Sequence, residues 1–259
     1  MTAPVPARPR RVPPPLNERC AVFLDIDGTL LELASAPDKV RVGPGLPPLL
    51  LALRRRLGGA VALVTGRSIS DVDRLFAGMR MPIAGQHGCE RRDAHGTLHL
   101  HARETATLQR LRALFTDFAR RHEGLLLEDK GATLALHYRR APQLAAHVHR
   151  TVRETVESAG ATGYRLQPGK ELVEVRPDGR DKGSAIRDFM AEAPFQGRCP
   201  VFIGDDRGDE HGFAVVERMR GWTIKVGPGA SRAQYRLADV AAVIDWLAAF
   251  AQPAPPAAP

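Results

Sequence analysis

The stretch Cys20 to Leu31, Cys-Ala-Val-Phe-Leu-Asp-Ile-Asp-Gly-Thr-Leu-Leu, constrains this chain more than any other. Ala21 to Leu24 is an unbroken apolar run, the pattern of a strand buried on both faces in a parallel sheet. Asp25 and Asp27 stand at its carboxyl end, followed at once by Gly28 and Thr29. In an open α/β sheet, ligands bind just beyond the carboxyl ends of the strands, so this pair sits where chemistry occurs. The plain alternative is a turn, because Asp-Gly is a common turn dipeptide. The stretch by itself leaves both readings open.

The rest of the chain repeats the pattern. Ala60 to Val64 is a second apolar strand that ends in Thr65-Gly66-Arg67-Ser68, and Pro200 to Ile203 ends in Gly204-Asp205-Asp206-Arg207-Gly208-Asp209-Glu210. Helices are expected over 46–57, with Pro47 and Pro48 tolerated in the first turn, and around Val72, Leu75 and Phe76. Residues 81–84 are expected to form a short edge strand that runs into Gly85-Gln86-His87-Gly88. This alternation implies an α/β fold with a doubly wound, Rossmann-like parallel-sheet core.

From about Arg91 the texture changes. An amphipathic helix is expected over 104–122, with Leu108, Leu111, Phe115 and Phe118 on one face. Two antiparallel strands follow at 125–128 and 134–139, then a helix over 142–159 striped by Leu144, Val148, Val152 and Val156, then a strand at 172–175. This reads as an inserted α+β module. The core pattern resumes with a helix at 183–192, the strand at 200–203, a helix carrying Phe213, Val216 and Met219, a last strand at 222–226 and a closing helix at 240–250. The expected organisation is a core of 19–90 and 177–250, an inserted cap over 91–176, a disordered Pro/Arg-rich arm over 1–18 and a disordered Pro/Ala tail over 251–259.

A parallel sheet brings the three polar strand ends to one edge. Clustered carboxylates repel one another, and a hard divalent cation relieves the conflict. Ligands that are all oxygen, with no His or Cys among them, favour Mg²⁺. The Thr65 hydroxyl and Lys182, at the start of a helix, suit phosphate oxygens. Together these groups build a phosphoryl-transfer site. Each also has a structural reading. Asp205-Asp206 can close a turn, Lys182 can be solvated, His87 can be a hydrogen-bonded loop histidine, and Glu128, Lys130 and Glu171 can form cross-strand ion pairs. His95, His99, His101, His147 and His149 show no evident partners and are expected to be solvated.

Composition excludes other classes. The formal charge is +8 with a pI near 10.0, but only five of the 37 basic residues are lysine and aromatics are just 5%, so base-stacking platforms are not expected and nucleic acid is an unsuitable partner. No apolar run approaches the roughly 18 residues needed to span a bilayer, and no secretory signal is expected at the N-terminus. Cys20, Cys89 and Cys199 lack metal-ligand spacing and read as reduced thiols in a cytoplasmic protein, with a monomer favoured.

The quoted residues resemble the motifs of the haloacid dehalogenase superfamily: Asp25-Ile26-Asp27-Gly28-Thr29-Leu30 the first, Thr65 the second, Lys182 the third, and Gly204-Asp205-Asp206 with Asp209 the fourth. The insertion matches the position of that superfamily's type-2 cap. A narrower similarity, over about 18–250, is to the trehalose-6-phosphate phosphatase family. It rests on Val64-Thr65-Gly66-Arg67-Ser68, Gly85-Gln86-His87-Gly88-Cys89-Glu90, Glu128-Asp129-Lys130-Gly131-Ala132, His137-Tyr138-Arg139 and the segment from Gly169 to Pro177. Gly208 departs from the pattern, which usually has Thr there. The resemblance implies Asp25 as nucleophile, Asp27 as acid and base, and Thr65 and Lys182 on the phosphoryl oxygens. It implies Mg²⁺ held by the Asp25 side chain, the Asp27 carbonyl and Asp205, with Asp206 and Asp209 in support. It also implies substrate contacts from Gly66, Arg67, His87, Glu128, Lys130 and Glu171, the substrate being trehalose 6-phosphate. The alternatives are another capped sugar phosphatase, acting on sucrose phosphate or mannosylglycerate phosphate, a phosphotransferase, or a non-catalytic sugar-phosphate sensor.

Overall fold

The computed structural model describes residues 11–33, 40–101, 105–169 and 171–251. It divides into two compact units, one of residues 1–99 with 181–259 and one of residues 100–180. These boundaries fall later than the expected ones after 90 and 176. The first is later because β4 (Glu90–Arg92) and β5 (Leu98–Leu100) extend the sheet of the first unit.

The first unit is built on β1 (Cys20–Leu24), every residue of which is buried. Its parallel neighbours are β2 (Val61–Val64) and β10 (Cys199–Gly204). Beyond β2 lies β3 (Ile83–Gly85), and beyond β10 lie β11 (Trp222–Val226) and β12 (Tyr235–Leu237), all parallel. The full order is β12-β11-β10-β1-β2-β3-β4-β5. The chain therefore winds outward from β1 in both directions, and β1 is the switch point where a crevice opens at the strand ends. β3 is an interior strand, not the expected edge, because β4 pairs antiparallel with it.

Alternate residues of β1 point to opposite faces of the sheet and found two core layers. Val22 and Leu24 join Leu50 and Leu53 of α1 (Leu46–Arg56) and Val243 and Leu247 of α7 (Val240–Ala251). Phe23 joins Phe189 of α5 (Lys182–Met190), Phe195, and Phe213 of α6 (Asp209–Arg218) on the other face. The Phe23 and Phe195 rings stack with centroids 5.5 Å apart. Burying each such ring contributes about 1.5–3 kcal/mol, enough to hold the strand end rigid. The short α2 (Ile69–Leu75) follows β2 and is capped by Ser68, whose hydroxyl accepts from Asp71 N.

Of the expected N-terminal arm, residues 1–10 lie outside the described residues, as do 252–259 of the expected tail. Residues 11–18 are packed rather than loose: Leu16 is buried in the core, and the Arg11 carbonyl accepts from Arg236 N.

The second unit is a four-stranded antiparallel sheet, β6-β7-β9-β8, made of β6 (Leu126–Asp129), β7 (Leu134–His137), β8 (Tyr164–Gly169) and β9 (Leu172–Pro177). On it pack α3 (Ala106–Arg120), through Leu108, Leu111 and Phe115, and α4 (Ala145–Ser158), through Val148, Val152 and Val156. The helix starting at 104 begins at Ala106 instead, and Glu104 lies outside the described residues. β8 is absent from the sequence expectation. It is an edge strand containing Pro168, and an edge tolerates the missing donor of proline.

Candidate active site

The strand ends expected to converge do so in the first unit. Oxygen atoms of Asp25, Asp205 and Asp209 all lie within 4.8 Å of one another. Asp25 follows β1 directly, and its backbone N–H donates to Ile203 O of β10 at 3.0 Å. The turn after it needs Gly28 in two ways. Its φ is +83°, and a Cβ there would lie 2.2 Å from the Asp205 carboxylate. Gly204 is required for the same reason, since a Cβ would lie 2.2 Å from Asp209 Cγ. Both glycines make room for a carboxylate.

Lys182 is the first residue of α5, whose cap is Asp181: its carboxylate accepts from Ser184 N at 2.7 Å, and its N–H donates to Ser184 Oγ at 2.9 Å. A cation is unfavourable at a helix start, and here the carboxylates override that cost. The ammonium donates to Asp25 Oδ1 at 2.8 Å and to Asp209 Oδ1 at 2.6 Å, with Asp206 Oδ1 at 3.9 Å. Asp206 and Asp209 brace each other: Asp206 N donates to Asp209 Oδ2 at 2.9 Å, and Asp209 N to Asp206 Oδ1 at 3.0 Å. Thr29 Oγ1 donates to the other oxygen of Asp25 at 3.3 Å.

The electrostatics follow from crowding. Burial pushes the Asp25 carboxyl up to about 7; Lys182 opposes the shift, while Asp206 and Asp205 add to it. Asp205 is likewise raised to about 7, by burial and then by Asp209 and Asp206. Asp209 is raised well above the usual range, chiefly by burial. Burial alone would lower Lys182, but the charges of Asp209, Asp25 and Asp206 hold it well above its ordinary value. Asp206 is carried down to about 2, because Lys182 and the bonds to Asp209 outweigh its burial.

Four carboxylates thus share two ammonium groups, Lys182 and, acting on Asp205 and Asp209, Lys225, and Asp205 Oδ1 is buried with no hydrogen-bond partner among the described residues. An all-oxygen, mutually repelling set with one acceptor unused fits a hard divalent cation.

Thr65, at the end of β2, is buried, and its hydroxyl accepts from Arg67 N at 3.1 Å. Arg67 grips Asp27 through two bonds, Nε to Oδ2 and Nη2 to Oδ1, both 2.6 Å. The Asp27 carboxylate therefore points to Arg67 and stands outside the cluster of Asp25, Asp205 and Asp209. His87 is buried, and its N–H donates to Thr65 O at 2.9 Å. A Cβ on Gly66 would come within 2.7 Å of His87 Nε2, so Gly66 is what lets the imidazole approach. Gln86 and His87 both have positive φ, +47° and +54°, a conformation that costs side-chain-bearing residues about 1–3 kcal/mol each. That strained turn fixes His87 against the end of β2.

The remaining expected site residues lie in the second unit. Glu128 bonds His137 Nε2 at 2.8 Å, Lys130 donates to Glu174 at 3.0 Å, and Arg139 donates to Glu171 at 2.6 Å. Burial alone would raise Glu128, but the bond to His137 and the charge of Lys130 carry it down. Glu171 holds φ at +61° in the turn between β8 and β9. The histidines expected to be solvated are corrected in part. His99 bonds Asp93 at 2.9 Å, His149 meets the Tyr138 hydroxyl at 3.3 Å, and His147 meets Arg150 at 3.3 Å.

Asp209, expected as a supporting carboxylate, lies in the central cluster itself. Sequence reasoning missed two features. The pairing of Arg67 with Asp27 spans 40 positions and leaves no periodic trace. Lys225, on the mostly apolar β11, is buried beside Gly204 in register; burial lowers its proton affinity, and Asp205 partly restores it.

A family model described as trehalose-phosphatase matches residues 23–241. The chain belongs to the trehalose-phosphatase family. It is accordingly an enzyme of the phosphoric monoester hydrolase class. The chain is 46% identical over 208 residues to a probable trehalose-phosphate phosphatase of Sinorhizobium fredii, covering 80% of this chain and 78% of that one. It is 42% identical over 238 residues to a trehalose-6-phosphate phosphatase of Escherichia coli, covering 90% and 87%. The crystal structure of a trehalose-6-phosphate phosphatase related protein superposes with a TM-score of 0.74 at 25% identity, covering 89% and 96%. Among the described residues, no helix is long and apolar enough to cross a membrane.

Proposed function

We propose that this family member is a Mg²⁺-dependent phosphatase that hydrolyses trehalose 6-phosphate to trehalose and phosphate through an aspartyl-phosphate on Asp25. The observation that carries the reaction is the buried convergence of Asp25, Asp205, Asp209 and Lys182 at the carboxyl end of the central strand. The substrate is that for which the Escherichia coli trehalose-6-phosphate phosphatase is named, a relative matched over 90% of this chain.

Asp25 is held by Lys182 on one oxygen and Thr29 on the other, which orients the carboxylate as a nucleophile toward phosphorus. Lys182 and the Thr65 hydroxyl would bind the equatorial phosphoryl oxygens as charge redistributes. Asp27 would protonate the departing sugar oxygen and later accept a proton from the attacking water, and Arg67 keeps it on station for both steps. Mg²⁺, held by the Asp25 side chain, the Asp27 carbonyl and Asp205, would neutralise charge between nucleophile and phosphoryl group. Asp206 and Asp209 support the cation's neighbours and Lys182.

We assign the chemistry to the first unit and sugar recognition to Glu128, Lys130 and Glu171 of the second, with Gly66, Arg67 and His87 contributing from the first. A site whose polar groups pair with sugar hydroxyls rejects analogues that lack them. We infer a reducing, cytoplasmic setting, which suits Cys20, Cys89 and Cys199 as thiols.

The test is phosphate release from a panel of sugar phosphates, with Mg²⁺ and with chelator. Trehalose 6-phosphate is expected to exceed glucose 6-phosphate, sucrose phosphate and mannosylglycerate phosphate in kcat/KM by at least about 100-fold, and chelation to abolish turnover. Equal turnover of trehalose 6-phosphate and glucose 6-phosphate would overturn the substrate assignment.

A further inference from the structure

The two cysteines at the start of β1 and β10 are placed for chemistry that phosphoryl transfer does not use. Cys20 and Cys199 are the first residues of their strands and are direct partners across the parallel pair. Two and four residues farther on, Val22 pairs with Val201 and Leu24 with Ile203, and all four belong to one core layer. Side chains two residues apart share a face, so the two thiols project to that same side. Neighbouring strands lie about 4.8 Å apart, within the Cα separation of roughly 4.4–6.8 Å that a disulfide spans.

Two further observations agree. The charge of Cys20 is felt at Cys199, as near neighbours require, while burial holds both thiols above their ordinary value, so closure is slow and needs prolonged contact with the oxidant. The partners also differ in access: Cys20 is fully buried, while Cys199 is only partly buried. Cys199 is thus the sulfur placed to meet a reagent first, and Cys20 the one placed to resolve the product. Both stand at strand beginnings, where the ladder constrains the backbone least.

We propose that Cys20 and Cys199 are a thiol pair that closes to an intramolecular disulfide on contact with a small disulfide oxidant. In the first step Cys199 Sγ loses its proton and attacks one sulfur of the oxidant; the oxidant's S–S bond breaks, and half of it leaves as a thiol carrying that proton. In the second step Cys20 Sγ attacks Cys199 Sγ, and the remaining half leaves as a second thiol with the Cys20 proton. Two protein thiols lose two electrons, and one oxidant disulfide becomes two thiols. In a reducing compartment the pair stays open. Closure links residues 20 and 199, so the loop encloses most of the chain and constrains the unfolded state strongly. The bond sits at the amino ends of β1 and β10, roughly 16 Å along the strand from Asp25.

The experiment incubates the full chain with excess glutathione disulfide, quenches in acid, denatures, alkylates and maps peptides by mass spectrometry. Of the three cysteines, only Cys89 is expected to take the alkylating label. A peptide linking Cys20 to Cys199 appears and is lost on treatment with dithiothreitol. The oxidised protein is expected to melt about 5 °C or more above the reduced one, and Cys199→Ser to show neither the link nor the shift. The proposal is overturned if Cys199 stops at a mixed disulfide while Cys20 is still alkylated, if all three thiols stay free, or if the linkage joins two chains.

Discussion

The charged groups of the two units are built differently. In the first unit, residues 25, 182 and 209 meet in a site where Lys182 is 2% exposed and Asp209 is fully buried. In the second, the pairs Glu128–His137 and Arg139–Glu171 sit on or beside one small sheet with side chains 16–41% exposed, and only Lys130–Glu174 among its substrate-site pairs lies deeper, at 11% and 4%. A deeply buried network cannot lose one member without stranding the others, whereas half-exposed pairs contribute little and exchange partners readily. The first arrangement suits chemistry that must be identical in every turnover. The second suits groups that give up an internal partner to a ligand hydroxyl.

That contrast is broken most severely at Asp25. Asp25→Asn is expected to lower kcat by at least about 10⁴-fold, with circular dichroism unchanged. Retained turnover would remove the nucleophile from the first unit. A smaller effect is expected at Arg67→Gln, which releases Asp27: about a 10–100-fold loss on a sugar phosphate, and less on an aryl phosphate whose leaving group needs no proton. Equal losses on both substrates would show that Arg67 acts elsewhere than on proton transfer.

The second unit should respond in KM instead. Glu171→Gln and Glu128→Gln are each expected to raise KM for trehalose 6-phosphate about 10-fold while leaving aryl phosphate hydrolysis unchanged. A fall in kcat on both substrates would erase the division of labour. The smallest effect concerns a carboxylate remote from both tasks. Burial would raise Asp93, but His99 and the N–H groups of Thr97 and His95 carry it down to about 2. A depressed carboxylate contributes stability that is complete above its unfolded value near 4 and is lost as the pH falls through about 2. Asp93→Asn should therefore cost about 1 kcal/mol at pH 7 and only a small fraction of that at pH 2, read from urea melts.

The strand ends of the first unit were legible because their grammar is simple. Apolar runs that end in Asp25, Thr65 and Asp205 can be read as buried strands whose polar termini share one edge. What the sequence hides is polar structure decided by distant partners. β4 reads Glu-Arg-Arg, with no apolar residue to mark it as an interior strand, yet Arg91 and Arg92 are buried because Glu192 and Asp73 neutralise them. β12 is three residues long, and its pairing with β11 alone makes it a strand. The Arg67–Asp27 pair and the His99–Asp93 pair likewise depend on turns that place side chains face to face, which no periodicity records.

The central claim is that the phosphoryl group passes through Asp25. Rapid acid quench of the wild-type enzyme turning over trehalose 6-phosphate, followed by peptide mapping, tests it directly. The expected result is a hydroxylamine-labile phosphate on the peptide containing Asp25, formed and lost at rates matching turnover. Steady phosphate release with no phosphorylated Asp25 at any quench time would contradict it.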